Sequence, residues 1–440
     1  MSIENTGAGN IRIELLPDPE RAFGAALPSP DRYADRLAGH GYVTDEYRFA
    51  GEASGGRFAT RLLVRRPAPE AASGVCVVEP MHFGGGRSFW GHAHEQLVRA
   101  GHAWVEVACQ THPALTYLVP SDPERYGWVS LPGRTTGLKS QIGPGIDTRA
   151  ASDAFSSEWW ATSPLLFGIL DAAVDAVGRG RLENVSPSTV ILAGASQSGG
   201  VVRRYAEKVA RGELPRRVDG FLPLHSGGQP LPAELSVPTY ELLAEAEIES
   251  VRSAAGLPGQ GRDLLHRDCA SPFYRFIEVA GMAHNDARYA VPDQDPPARS
   301  RWSSFPHTHV VHAALEGLIR WIRGGEPPLD CAPLEAAPDG SLARDDFGHP
   351  RGGLQVPAVE QPTARIHAIS SGKYWNRGHE FPLPADELLA RYGSAQGYLD
   401  EAERTLKELV GRGHYLEADA RRWLGEARED AGTWTTSTGN

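Results

Sequence analysis

Cysteine is scarce. The 440 residues hold four, at positions 76, 109, 269 and 331, and no two form a CxxC pair. That spacing excludes a disulfide framework and the common cysteine zinc motifs, and it predicts reduced thiols in a cytoplasmic protein. Cys76 falls inside the apolar run GVCVVEP and reads as a small buried hydrophobe. Long hydrophobic runs are missing too. No window reaches the length of a membrane span, and the opening MSIENTGAGNIRIELLPDPE lacks the basic region and apolar core of a signal peptide. Positive charge is in deficit: 44 Lys and Arg stand against 55 Asp and Glu, a formal charge of -11, which argues against nucleic acid as a partner. No HExxH pattern occurs, and no lysine follows the glycine turns as a phosphate-binding loop requires. His92 and His94, at i and i+2 of an expected helix, face different sides and suit a metal poorly. His307, His309 and His312 cluster at a helix start, where surface or packing roles are expected. Neither a metal nor an organic cofactor is predicted. Oligomeric state has no signature in the sequence.

What is present is an ordinary globular composition, 41% hydrophobic and 22% charged. β-rich segments come first: IRIELLP, then YVTDEYRFAGEASGGRFATRLLVRRP, which reads as two strands joined through Gly55-Gly56. From residue 74 strands and helices alternate. Strands are expected at 74–80, 103–109, 189–194, 218–228, 237–247 and 273–281, and helices at 90–101, 163–180, from about 199, and at 308–325. Such alternation predicts a mostly parallel sheet with helices on both faces. Residues 110–160 break the rhythm with Pro, Gly, Ser and aromatics, and read as an insertion over the active-site edge. Tyr117, Tyr126, Trp128, Trp159 and Trp160 would there wall an apolar substrate pocket. The expected division is a catalytic domain over 1–325 and an addition over 326–440, first a Pro- and Gly-rich wrapping segment and then helices from about residue 385.

The chemistry centres on GASQSGG, residues 194–200. A nucleophile on a sharp strand-to-helix turn needs small residues two before and two after it. Gly194 and Ser198 flank Ser196 in this way, and Ser196 and Gly200 flank Ser198. The strand TVILAG is apolar to residue 193, so a turn centred on Ser196 follows it at once. Centring on Ser198 would draw polar residues into the strand and put two glycines into the first helical turn, at about 1 kcal/mol each. Ser196 is therefore the expected nucleophile, with the Gln197 amide at the helix start aimed at an oxyanion. The loop HFGGG after GVCVVEP would supply a second donor from Phe83 or Gly84, with His82 beside the substrate. His284, just past the strand FYRFIEVAG, is the expected base. Glu247 is the expected acid that orients it, and Glu245 is the alternative.

Together GASQSGG, ELLAEAEIESVR, FIEVAGMAHNDARY, FGHPRGGLQVPAVEQPTARI and YLDEAERTLKELVGRGHYLEADARRW resemble a bacterial family of α/β-hydrolase-domain proteins, esterase-like and mostly of unassigned substrate. The likeness covers most of the chain beyond residue 75. It implies an α/β-hydrolase fold and a triad of Ser196, His284 and a glutamate of AEAE. The chain departs from that pattern in the Gly-Gly after Ser198, where a basic residue is expected after the first glycine. His349 stands where asparagine is common, and the 82–86 loop is unusually glycine-rich. The resulting expectation is a serine hydrolase that cleaves a small-molecule carboxylic ester or lactone through an acyl-enzyme on Ser196. Acyl transfer by the same triad and a non-catalytic binding protein on this fold are the alternatives.

Overall fold

The computed structural model describes residues 9–23, 37, 39–86, 88–131, 164–226, 231–248, 269–286, 295–370 and 377–434. Trp159, Trp160 and the part of the insertion beyond residue 131 lie outside the described residues. The chain divides into two compact units, one taking in the described residues of 1–226, 231–239 and 269–274, the other those of 240–268 and 275–440.

The first unit opens with three antiparallel strands, β1 (Gly9–Leu15), β2 (Tyr42–Ala53) and β3 (Gly56–Pro67). β2 and β3 pair along their whole length, from Tyr42 opposite Pro67 to Ala53 opposite Gly56. The alternation follows as expected: β4 (Val75–Pro80), α1 (Ser88–Ala100), β5 (Ala103–Val107), α2 (Pro164–Gly178), β6 (Thr189–Ala195), α3 (Gln197–Ala210) and β7 (Gly220–Leu224). The strand order is β1-β2-β3-β5-β4-β6-β7. β5, β4, β6 and β7 run parallel, and β3 joins β5 antiparallel. Every residue of β4 and β6 is buried, Glu79 included, as strands covered on both faces should be. In α3 the stripe of Val201, Val202, Tyr205 and Ala206 is buried, which is the face the sequence periodicity assigns to the core.

The start of the 110–160 insertion forms short helical turns between Thr111 and Tyr126. Ser130 and Ala59 of β3 then exchange both backbone hydrogen bonds, at 2.8 and 2.9 Å. A buried ionic cluster fixes this excursion. The Arg61 guanidinium lies between Glu106 and Glu46, and its Nη1 also donates to the Phe23 carbonyl at 2.8 Å. Glu46 takes the Arg125 Nε–H and the Tyr126 hydroxyl, each at 2.7 Å.

The second unit contains β8 (Thr239–Ala244) and β9 (Tyr274–Val279), neighbours in one sheet, whose first residues belong to the first unit. β8 is shorter than the sequence suggests: the chain turns helical from Glu245 to Ile248. β10 (Arg301–Trp302), α4 (His307–Ile322), β11 (Ala364–His367), β12 (His379–Pro382), α5 (Ala385–Tyr392), α6 (Ala395–Arg412) and α7 (Glu417–Ala431) follow. β10, β12 and β11 make a small antiparallel sheet that the sequence did not signal. His307, His309 and His312 are fully buried rather than at the surface. His309 Nδ1 meets the Tyr415 hydroxyl at 2.6 Å and His312 Nδ1 meets Asp419 at 2.9 Å, so two of them dock the C-terminal segment onto α4.

His414 supplies a pH test of this docking. Burial, and secondarily Arg412, holds its imidazole down from 6.5 to about 4. A depressed value means that its contribution is present above 6.5 and is lost as pH falls through about 4. Urea titrations should show wild type losing on the order of 3 kcal/mol across that window that His414→Gln does not lose. Equal losses in both proteins would refute this account of His414.

Candidate active site

β6 ends at Ala195 and α3 begins at Gln197, so the single residue Ser196 makes the whole turn. Its backbone sits at φ 57 and ψ −125, a conformation that strains any residue with a Cβ. Neighbouring elements hold it there: the Ser196 amide donates to the Leu224 carbonyl at the end of β7 at 2.9 Å. A Cβ on Gly194 would lie 2.6 Å from the Ser198 carbonyl group, so the residue two before the turn must be glycine. Ser196 is partly exposed, whereas Ser198 is fully buried. The Ser198 hydroxyl is engaged with Ala195, accepting its N–H at 3.0 Å and reaching its carbonyl at 2.8 Å, and it meets the Ser88 hydroxyl at 2.9 Å. The two serines are thus chemically unequal.

The Gln197 amide is the first of α3, where helical N–H groups have no intrahelical acceptor. Its side chain, 5% exposed, forms a reciprocal amide pair with Gln110 just past β5, at 3.0 and 2.8 Å. Gln110 also donates to the Met81 carbonyl at 2.7 Å, and the Phe83 N–H donates to Gln197 Oε1 at 3.2 Å. The Gly84 N–H donates to His82 Nδ1 at 3.0 Å. The 82–86 loop is therefore tied to the residue after Ser196, and the Phe83 and Gly84 amides reach an oxyanion only by exchanging these partners. The glycine at 86 has a packing cause: at φ 95, a Cβ there would sit 2.3 Å from a Glu106 carboxylate oxygen.

Glu79, at the end of β4, was read only as part of an apolar run. It is fully buried and accepts from the Phe89 N–H at 2.7 Å, the Trp90 N–H at 3.1 Å, the Trp104 indole at 2.9 Å and the Ser88 hydroxyl at 3.2 Å. Burial, then the nearby Glu106 charge, pushes its carboxyl up to about 8 against the pull of those donors. Ser88 in turn bonds the Ala195 carbonyl at 3.2 Å, which links Glu79 to the underside of the turn. A charge inside an otherwise apolar strand is the signal that could have found it, as is the glutamine closing AWVEVACQ for Gln110.

In the second unit, His284 Nδ1 lies 2.5 Å from Glu247 Oε1, and Glu247 Oε2 accepts the Ala244 N–H at 2.8 Å. A carboxylate only accepts, so the imidazole proton resides on Nδ1 and Nε2 is left as the basic nitrogen. Glu245, 1% exposed, goes elsewhere: it accepts the Gly281 N–H at 2.8 Å and pairs with Arg344 at 2.9 Å. The helical turn after Ala244 is what sends the two carboxylates apart.

The aromatics expected to wall a pocket serve other ends where they are described. Tyr126 is fully buried, its hydroxyl donating to Glu46 and accepting the Phe23 N–H at 2.7 Å, which makes it part of the core. Trp128 donates its indole N–H to the Arg125 carbonyl at 2.5 Å, with the Arg48 guanidinium 5.1 Å from its ring centroid. Tyr117 packs partly buried against the core of the first unit. Among the described residues, no group of three or more His, Cys, Asp or Glu side chains could hold a metal ion, and no helix is long and apolar enough to cross a membrane.

A family model described as an alpha/beta hydrolase domain matches residues 16–425. Among curated proteins none matches the sequence. Similar solved structures include a putative dienelactone hydrolase from Klebsiella pneumoniae, 11% identical over 64% of this chain and 99% of that one, with a TM-score of 0.32. A cold-adapted esterase from an Arctic intertidal metagenomic library is 12% identical over 53% of this chain and 84% of its own, with a TM-score of 0.31. A promiscuous CE15 esterase from a marine bacterial metagenome is 12% identical over 59% and 74%, also with a TM-score of 0.31. Likeness this remote identifies no substrate. The family match spans nearly the whole length, and the chain belongs to the alpha/beta hydrolase domain family.

Proposed function

We propose that the protein is a serine hydrolase acting on a small-molecule carboxylic ester or lactone. Ser196 attacks the carbonyl while His284 Nε2 takes its proton, and Glu247 holds Nδ1–H and stabilises the imidazolium. The imidazolium then protonates the leaving alkoxide, and water deacylates Ser196 by the same route in reverse. The Gln197 amide stabilises the oxyanion, with the 83–84 loop as second donor once an amide there turns from its present acceptor. Each such donor is worth about 3 kcal/mol. The chief support is the strained, partly exposed Ser196 at a one-residue strand-to-helix turn. The 2.5 Å bond between His284 and Glu247 adds to it.

A fluorophosphonate probe tests this directly. Peptide mapping should place the adduct on Ser196, and His284→Ala and Glu247→Ala should slow its formation by about 10²–10⁴-fold. An adduct on Ser198, or none on correctly folded wild type, would sink the proposal.

A further inference from the structure

Two glutamates stand side by side at the end of β8, and the reaction above uses one. Glu245 is 1% exposed, and it is bound on both sides. One oxygen accepts the N–H of Gly281, three residues before His284; the other pairs with Arg344. Arg344 comes from a strap that folds on itself through the bridges Leu334–Gly352, Ala336–Leu342 and Arg344–Pro350. The Arg344 Nη1 also donates to the Gly348 carbonyl at 2.7 Å, which aims the guanidinium. The strap then lies parallel to β9. Leu354 donates to the Glu278 carbonyl at 2.6 Å, and Ala280 donates back to Leu354 at 3.1 Å. The Glu278 carboxylate accepts the Leu334 N–H at 2.5 Å. The segment from Glu278 to Gly281, which delivers His284, is therefore gripped by the strap along its backbone and by the Glu245–Arg344 pair at its turn.

A buried carboxylate without its cation either takes up a proton or draws in water, and it stops being a fixed acceptor in both cases. The Gly281 N–H would then lose the partner that sets the turn. We propose that Arg344 is a positioning residue for His284, acting through Glu245 and the Gly281 amide, and that the strap is thereby part of the catalytic apparatus. The inference rests on the serine hydrolase reading. It gives the second glutamate a role distinct from the triad acid and gives the 332–356 segment a purpose beyond covering a surface.

The experiment uses the full chain with p-nitrophenyl acetate for kcat and KM and a fluorophosphonate for the rate of Ser196 modification. Arg344→Met should lower kcat and the labelling rate about 10–100-fold while KM moves less than about twofold, because the altered geometry concerns the base and not ester binding. Arg344→Lys should recover most of the loss. In the Glu245→Gln background Arg344→Met should cost little more, which is the coupling of a pair acting as one. An unchanged kcat and labelling rate in a folded Arg344→Met, even with a lowered melting temperature, would overturn the inference and leave the hydrolase reading standing. Should that variant not fold, an unchanged kcat and labelling rate in Glu245→Gln would overturn it equally. Wild type inert to the fluorophosphonate would defeat both readings.

Discussion

Ser196→Ala should lower ester hydrolysis by about 10⁴–10⁶-fold, whereas Ser198→Ala, two residues away, should keep most of it. The asymmetry follows from where each hydroxyl is spent. That of Ser198 is sealed in the turn, bonded to both backbone groups of Ala195 and to Ser88. Its loss leaves a buried N–H unsatisfied and costs about 1–3 kcal/mol of stability rather than chemistry. Ser196 has an exposed face and a backbone held at positive φ by Gly194, Gly199 and the end of β7. Alanine fits that backbone as serine does, so Ser196→Ala should be as stable as wild type and inert. Hydrolysis of p-nitrophenyl acetate together with thermal unfolding reads both quantities. An active Ser196→Ala would remove Ser196 from the mechanism.

The largest stability effect is expected at Arg61. Arg61→Leu should cost about 3–5 kcal/mol, because Glu46 and Glu106 would then be left without the cation that stands between them. All three side chains are at most 1% exposed. The exposed Arg421–Glu417 pair on α7 is the control: Arg421→Ala should change stability by less than about 1 kcal/mol. Chemical denaturation of the two variants gives the comparison. A loss at Arg61 no larger than at Arg421 would refute this account of the cluster. Because Glu46 also holds Arg125 and Tyr126, the variant should loosen the 111–126 turns before the parallel strands, visible as early amide exchange there.

The parallel core was legible because its strands are apolar runs broken at most by a single glutamate and α3 keeps a stripe through Val201, Val202, Tyr205 and Ala206. β10, β11 and β12 were not, since strands of two to four residues show no period. The choice between Glu245 and Glu247 turned on where β8 stops. Nothing in VPTYELLAEAE marks Ala244 as its last residue; in a continued strand the two glutamates, two apart, would face the same side, and it is the helical turn from Glu245 that separates them. Tyr126 shows the opposite failure: an aromatic in a Pro- and Gly-rich stretch suggests a ligand wall, but the buried Glu46 that claims its hydroxyl lies far off in sequence. Partners of that kind, including Arg344 for Glu245, are set by the fold and leave no local trace.

The strap has a consequence for the order in which the protein is made. Chains grow from the N-terminus at about 5–20 residues per second, so β6, α3 and His284 all exist before Arg344 does. A polypeptide cut short between His284 and Arg344 carries every residue of the proposed reaction and still leaves Glu245 without its cation. Premature termination products that stop there should therefore be poor hydrolases even when they survive proteolysis, and nascent chains should gain full activity toward esters only once Arg344 has been added.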